Sequence, residues 1–183
     1  KNQKIEESKT AFIELLAQGA HTNESNFYLG RIADSKNEFN QAIDYYKQVS
    51  QSLHFDAALE RAGFLLTQEG RVDEMLEHLS HARNNNPKVA LNAWLLQFKL
   101  LNTFDHHDKS FETLNLALAD FPDDEQLLYA RAMRKESMSD LAGMEADLRK
   151  IINSNPKNAI AINALGYTLA DRTDRLEEAL NLI

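Results

Sequence analysis

DAALERAGFLLTQEGRVDEMLEHLSHARNNNP, residues 56–87, governs how the rest of the chain is read. Leu59, Ala62, Gly63 and Leu66 fall three or four residues apart, which places apolar and small side chains on one face of an α-helix. Gly70-Arg71 interrupts that spacing, and Met75, Leu79 and Ala82 begin a second set. Asn84-Asn85-Asn86 and Pro87 then close it. The stretch predicts two short helices joined by a tight turn.

The same phase recurs along the chain. Its only three prolines, Pro87, Pro122 and Pro156, lie 35 and 34 residues apart. Each follows an apolar-periodic run, where proline blocks continuation of a helix. If Asp56 opens a unit of about 34 residues, a unit from Glu125 puts Leu128, Ala132, Leu148, Ile151 and Pro156 in matching slots. A unit from Asn23 offers Gly30, Ala33, Ala42, Tyr46 and Val49. One from Ala159 offers Ile162, Leu165, Gly166 and Ala179, and one from Ala90 offers Ala93, Leu96, Leu100, Leu114 and Ala117. A period of this length marks a helical repeat array. No alternating strand pattern bounded by turn residues appears, so the chain is expected to be all-α.

This order of large, small and proline positions resembles the tetratricopeptide repeat over nearly the whole chain. The resemblance implies a right-handed superhelical α-solenoid of antiparallel helix pairs. It divides one array into 1–22 (the second helix of an incomplete repeat), 23–55, 56–89, 90–124, 125–158 and a truncated 159–183. Gly30, Gly63 and Gly166 fall on the small position of the first helix, where a missing side chain lets the paired helix approach. The pattern departs at Gln97, which holds that slot in the third unit, and at Met75 and Met144, which replace the usual alanine. A lone helix pair cannot bury its apolar faces, so neighbouring units must stack. The terminal residues Ile162, Leu165 and Leu180 are then expected to be partly bare, favouring end-to-end association.

Composition bounds the function. At 43% hydrophobic and 26% charged the chain is ordinary for a globular protein. No apolar run is long enough to span a membrane. The net charge of −8 argues against nucleic acid, which needs clustered Lys and Arg. The absence of cysteine removes disulfides, thiol catalysis and thiolate ligation. The sequence opens on Lys1 rather than Met and stops at Ile183 inside a predicted helix, so it reads as a piece of a longer repeat protein.

Catalytic chemistry finds no foothold. There is no glycine-rich phosphate loop, no Gly-x-Ser-x-Gly and no His-Glu-x-x-His. His78 and His81, with Glu74 and Glu77 nearby, have a spacing that could ligate a metal, but they read as polar residues on the outside of a second helix. Asp105-His106-His107-Asp108 falls in an inter-helix turn, where Asp is expected to cap the next helix. Asp123-Asp124-Glu125 and Glu177-Glu178 read as helix-entry charge. The chain is expected to be no enzyme and to carry neither cofactor nor metal.

In the tetratricopeptide family the first helix of each unit lines the concave groove. Carried over, the fifth positions are Phe27, Glu60, Trp94, Tyr129 and Asn163, and the ninth are Arg31, Phe64, Phe98, Met133 and Tyr167. This aromatic stripe reads either as a partner-binding surface or as packing between first helices, with Trp94 the most structural of the set. No Lys stands at a fifth position and no Asn at a ninth, which argues against the grip on a carboxyl terminus used by chaperone-binding members.

A narrower resemblance lies in residues 163–173, NALGYTLADRT, and in Phe121-Pro122-Asp123-Asp124 with Leu127 to Ala132. Both are similar to multi-repeat proteins of Gram-negative bacteria, some of them outer-membrane lipoproteins that act as adaptors for a periplasmic processing protease. This implies a non-catalytic protein or peptide-binding scaffold in the periplasm, anchored through a segment preceding Lys1. The alternatives are a cytoplasmic location and a self-assembly module associating through its repeat ends.

Overall fold

The computed structural model describes residues 2–182. Among them are eleven α-helices and no strand. In order they are α1 Asn2–Ala17, α2 Thr22–Ser35, α3 Phe39–Lys47, α4 Phe55–Gln68, α5 Val72–Asn85, α6 Ala90–Thr103, α7 His107–Asp120, α8 Glu125–Ser137, α9 Leu141–Ser154, α10 Ala159–Arg172 and α11 Leu176–Leu182. Lys1 and Ile183, the outer ends of the first and last predicted helices, lie outside the described residues. The helices gather into two compact units, one reaching Asp105 and the other beginning at His106. The division falls in the turn of the third predicted repeat.

The turns show why the first helices stop where they do. α2, α4, α6 and α8 are each followed by one residue in the left-handed region: Asn37 (φ 60°), Gly70 (73°), Asp105 (61°) and Ser139 (63°). In three of these turns the next amide reaches back five residues. Glu38 N–H donates to the Ala33 carbonyl at 2.9 Å, Arg71 to Leu66 at 2.8 Å and Asp140 to Lys135 at 2.9 Å. Those bonds satisfy carbonyls that the helix end would otherwise leave open. At the fourth turn the expected role of Asp is corrected. His106, not an Asp, stands at the cap position of α7 and makes no side-chain cap, while Asp105 supplies the left-handed residue. Asp and Asn tolerate that conformation better than most side chains. True side-chain caps occur at Asp124, Asp140 and Asn158, which accept from the amides of Leu127, Gly143 and Ala161.

In the first unit the core is built from Leu29, Ile43, Leu65, Leu66, Met75, Leu79 and Leu101, none more than 1% exposed. In the second it is built from Leu114, Leu127, Leu128, Met144, Leu148 and Leu165. Both methionines at the alanine position are thus core residues, flexible enough to fill the gap between helices.

The small slot works differently from expectation at Gly63. A Cβ there would sit 2.9 Å from Leu100 Cδ1, a residue of the neighbouring first helix α6, and 3.9 Å from Met75 Cγ of the paired helix. Gly30 follows the expected pattern, because the Tyr46 ring of its own partner α3 would lie 2.8 Å from a Cβ. The slot therefore admits either neighbour.

In the second unit Asp147 is 4% exposed and accepts from Arg131 and Lys135 of α8. Burial alone would push its carboxyl up, but those two hydrogen bonds and charges outweigh it and hold the group below its ordinary value. α10 packs against α9 on one side and α11 on the other. That cover corrects one expectation: Leu165 is fully buried and Ile162 half-buried, whereas Leu180 is 79% exposed.

The turns and the small slot give measurable consequences. Ser139→Gly removes a Cβ from a left-handed residue and should raise the unfolding free energy in urea by about 0.5–1 kcal/mol, whereas Gly70→Ala should lower it by about 1 kcal/mol. Gly63→Leu collides with Leu100 and should cost about 1–3 kcal/mol in the same titration.

Candidate functional site

In the first unit the first helices α2, α4 and α6 carry Phe27, Arg31, Glu60, Phe64, Trp94 and Phe98. Two hollows open between these helices, one on either side of α4. The hollow between α2 and α4 holds about 530 Å³ and is lined by Phe27, Arg31, Asp34, Tyr46, Ala57 and Arg61, among others. The hollow between α4 and α6 holds about 290 Å³, with Leu59, Leu95 and Leu96 at its base and Asp56, Glu60 and Lys99 around it. Helix geometry produces the arrangement: Ala57 and Arg61, four apart, share one flank of α4, while Asp56 and Glu60 share the next.

The polar groups of the first hollow are tightly coupled. Arg61 forks onto Asp34, with Nε to Oδ2 at 2.6 Å and Nη2 to Oδ1 at 2.8 Å. This bidentate pair ties α4 to α2 and fixes the guanidinium plane. Burial, with the Asp34 charge beside it, pushes the Tyr46 phenol up to about 12. Across the second hollow Lys99 Nζ donates to Glu60 Oε1 at 3.0 Å, both side chains being largely exposed. An exposed pair of this kind contributes little stability and opens readily.

The stripe does not behave uniformly. Phe27 is half-buried and lies flat on His54, with ring centroids 4.4 Å apart and planes 6° from parallel, leaving Arg31 beside it, 6.0 Å from the ring. Phe64 meets Phe104 edge-on at 5.4 Å and takes the Arg61 guanidinium at 5.0 Å. Phe98 is half-buried. Trp94 is 8% exposed, and the Arg83 guanidinium covers its ring at 3.5 Å. The same Arg83 donates to Gln97 Oε1 at 2.8 Å, which explains how a buried glutamine occupies a slot meant for a small residue. Trp94 is thus a packing residue. In the second unit Tyr129 and Met133 are half-buried, whereas Asn163 and Tyr167 are exposed, Tyr167 by 68%.

Sequence reasoning missed Arg61, Asp34 and Lys99, which give the hollows their charge, and the part Tyr46 plays in lining the first of them. A signal was available for Arg61, one helical turn beyond Ala57 and next to a predicted position. It also missed a third hollow of about 450 Å³ between α1 and α2, bounded by Lys4, Ile5, Phe12, Tyr28, Arg31 and Ile32. There Phe12 of the lone α1 stacks on Tyr28 at 5.2 Å.

The histidines considered for metal binding stand apart from these hollows in role. Glu74 is engaged by Arg71 at 2.7 Å, and His81 is exposed. Among the described residues no group of three or more His, Cys, Asp or Glu is placed to hold a metal. His78 is half-buried with Nε2 enclosed and lacking a hydrogen-bond partner. Burial first, then the Lys47 and His81 charges, pushes its imidazole down to about 4. Its folded value thus lies below the unfolded one, so as pH falls the unfolded chain takes up the proton first. The resulting stability is complete above about pH 6.5 and lost between about 6.5 and 4, up to about 3 kcal/mol in all. Urea unfolding across that window should show the decline, and His78→Leu should flatten it.

No protein-family profile matches the chain. A curated protein of Pseudomonas aeruginosa described as a TPR repeat-containing protein is 42% identical over 159 residues, covering 87% of this chain. The chain spans about 27% of the length of that relative. Among solved structures, YrrB, described as a TPR protein with an unusual peptide-binding site, superposes with a TM-score of 0.56 at 16% identity. That match covers 94% of this chain and 88% of YrrB. A fragment of MamA from Desulfovibrio magneticus matches with a TM-score of 0.57 at 13% identity, covering 89% of this chain and 92% of the fragment.

Proposed function

Because this chain is a tetratricopeptide-repeat protein, we propose that it is a non-catalytic scaffold holding an extended segment of a partner protein on the face made by α2, α4 and α6. The observation that carries this reading is the pair of open hollows flanking α4, which unite Phe27, Arg31 and Glu60 with Arg61 and Lys99. Neighbouring first helices lie roughly 8–10 Å apart. At about 3.3–3.6 Å per extended residue, a segment crossing α4 enters both hollows within three or four residues. The half-buried Phe27 and Phe64 present the aromatic surface that contributes most at protein interfaces. In the second unit, Tyr129, Met133, Asn163 and Tyr167 belong to the same proposal.

The finer role follows the resemblance of residues 163–173 to adaptor lipoproteins. In this reading the scaffold works in the periplasm, held at the outer membrane through a preceding segment, and presents substrates to a carboxyl-terminal processing protease. Self-association is the second reading, favoured by Ile160, Leu176 and Leu180, which are 65%, 58% and 79% exposed. Such bare apolar side chains gain from being covered.

A pull-down with wild type and with a Phe64→Ala/Tyr129→Ala/Tyr167→Ala variant, shown folded by circular dichroism, tests the groove. Partners are expected with wild type and to be lost with the variant. Recovery of the same partners with both proteins removes the groove from consideration. Concentration-dependent mass in light scattering that Leu180→Asp abolishes is the outcome expected of self-association.

A further inference from the structure

The hollow between α4 and α6 is set apart by the residues at the first and fifth positions of its unit. Asn23, Asp56 and Glu125 open their units at equivalent places. Asn23 Oδ1 accepts from the Ser50 amide at 2.8 Å and from its hydroxyl at 3.1 Å. Glu125 accepts from the side chains of Asn155 at 3.1 Å and Asn158 at 2.6 Å. Both residues thus fasten the segment that leads into the next first helix. Asp56 comes between them in the series, is exposed on the wall of the hollow, and has no hydrogen bond or ion pair among the described residues. The fifth position is equally distinct. Three units carry a ring there, Phe27, Trp94 and Tyr129, whereas this one carries Glu60. The Lys99 side chain that meets Glu60 is 66% exposed, and such a pair exchanges readily. Neither wall of the hollow lies at an end of the array: α3 and α5 pack on α4, and α5 packs on α6 as well.

We infer that this hollow receives the side chain of a lysine or arginine from the partner segment, its stem on Leu59, Leu95 and Leu96 and its charged end between Asp56 and Glu60. The inference rests on the groove reading above and names the chemistry of one partner residue. Asp56 and Glu60 stand one turn apart on α4, so their Cβ atoms lie about 5–6 Å from each other and one cation can meet both carboxylates. The base beneath them is apolar, and Lys and Arg lay their methylene stems on such surface while keeping the charge at the rim. Two carboxylates against the one Lys99 ammonium leave the walls net negative, which repels an acidic side chain. A purely apolar side chain would fill the base but strip water from Asp56 without a compensating bond. At about 290 Å³ the hollow suits a side chain rather than a helix, a single turn of which, about 10–12 Å across and about 5.4 Å long, is larger. The incoming cation takes over Glu60, and Lys99 turns to solvent.

The test is selection from a library of random peptides displayed as internal inserts against three proteins. These are the unaltered chain, Asp56→Asn/Glu60→Gln, and the charge-matched Glu69→Gln/Glu77→Gln, whose changes lie outside the hollow. All four carboxylates belong to exposed residues, so their replacement leaves the core intact, which circular dichroism checks. The expected result is one position enriched in Lys or Arg with the unaltered chain and with Glu69→Gln/Glu77→Gln, and lost with Asp56→Asn/Glu60→Gln. A terminally blocked synthetic peptide of the selected sequence should then bind about tenfold more tightly than a counterpart with norleucine in place of the basic residue, and Asp56→Asn/Glu60→Gln should erase that ratio. Lys99→Gln removes the competing ammonium and should raise the affinity for the basic peptide about two- to fivefold. Enriched sequences without a basic position, or a basic preference that survives Asp56→Asn/Glu60→Gln, overturn the inference and leave the groove reading standing. So does a preference that Glu69→Gln/Glu77→Gln removes equally. If no sequence is enriched against the folded chain, both fall together.

Discussion

A pair of fourteen-residue helices such as α4 and α5 has more apolar surface than the two can hide from each other. The rest of the structure depends on how the neighbouring helix reaches that surface. At Gly63 the answer is the absence of a side chain: Leu100 of α6 comes to where a Cβ would leave only 2.9 Å. This contact brings two first helices together without the paired helix standing between them. The hollow beside Leu59, Leu95 and Leu96 follows from it, because helices that touch at one level splay apart at another.

The third first helix shows the cost of breaking that rule and how the chain offsets it. Gln97 puts an amide where its equivalents are glycine or alanine, and an amide buried without a partner costs about 1–3 kcal/mol. Arg83 supplies the hydrogen bond and lays its guanidinium on Trp94, so one cation satisfies the glutamine and seals the aromatic ring. The predicted binding residue Trp94 is therefore taken out of the stripe by an arginine from the preceding second helix. Asp147 illustrates the same economy in the second unit, where two cations from α8 hold one buried carboxylate.

Much of the fold was legible because helix spacing and turn chemistry are local. Gly70 marks the turn at the break predicted from Gly70-Arg71, and the core follows from residues three and four apart. What escaped the sequence is non-local. Asp34 finds Arg61 across 27 positions and Glu60 finds Lys99 across 39, choices made only when first helices lie side by side. The burial of Leu165 escaped for the same reason: α10 packs against both α9 and α11, contacts that periodicity could not weigh. Asp105 was legible as a turn residue but not in its role, since capping and left-handed geometry draw on the same side chains.

The stripe of aromatic residues raised a choice between binding and packing that the structure recasts. Phe27 packs against His54, Tyr28 and Tyr46, and Phe64 against Phe104 and the Arg61 guanidinium, yet both rings stay partly uncovered. A ring already immobilised by its neighbours loses little further freedom when a ligand meets its other side, so packing lowers the cost of binding. Both roles then coexist in one residue wherever part of the ring stays uncovered, as the half-buried Phe27 and Phe64 do and the sealed Trp94 does not. The cations sort in the same way. Arg61 and Arg83 are fastened to carboxylate or amide partners and hold helices together, whereas Arg31 is exposed, 6.0 Å from the Phe27 ring.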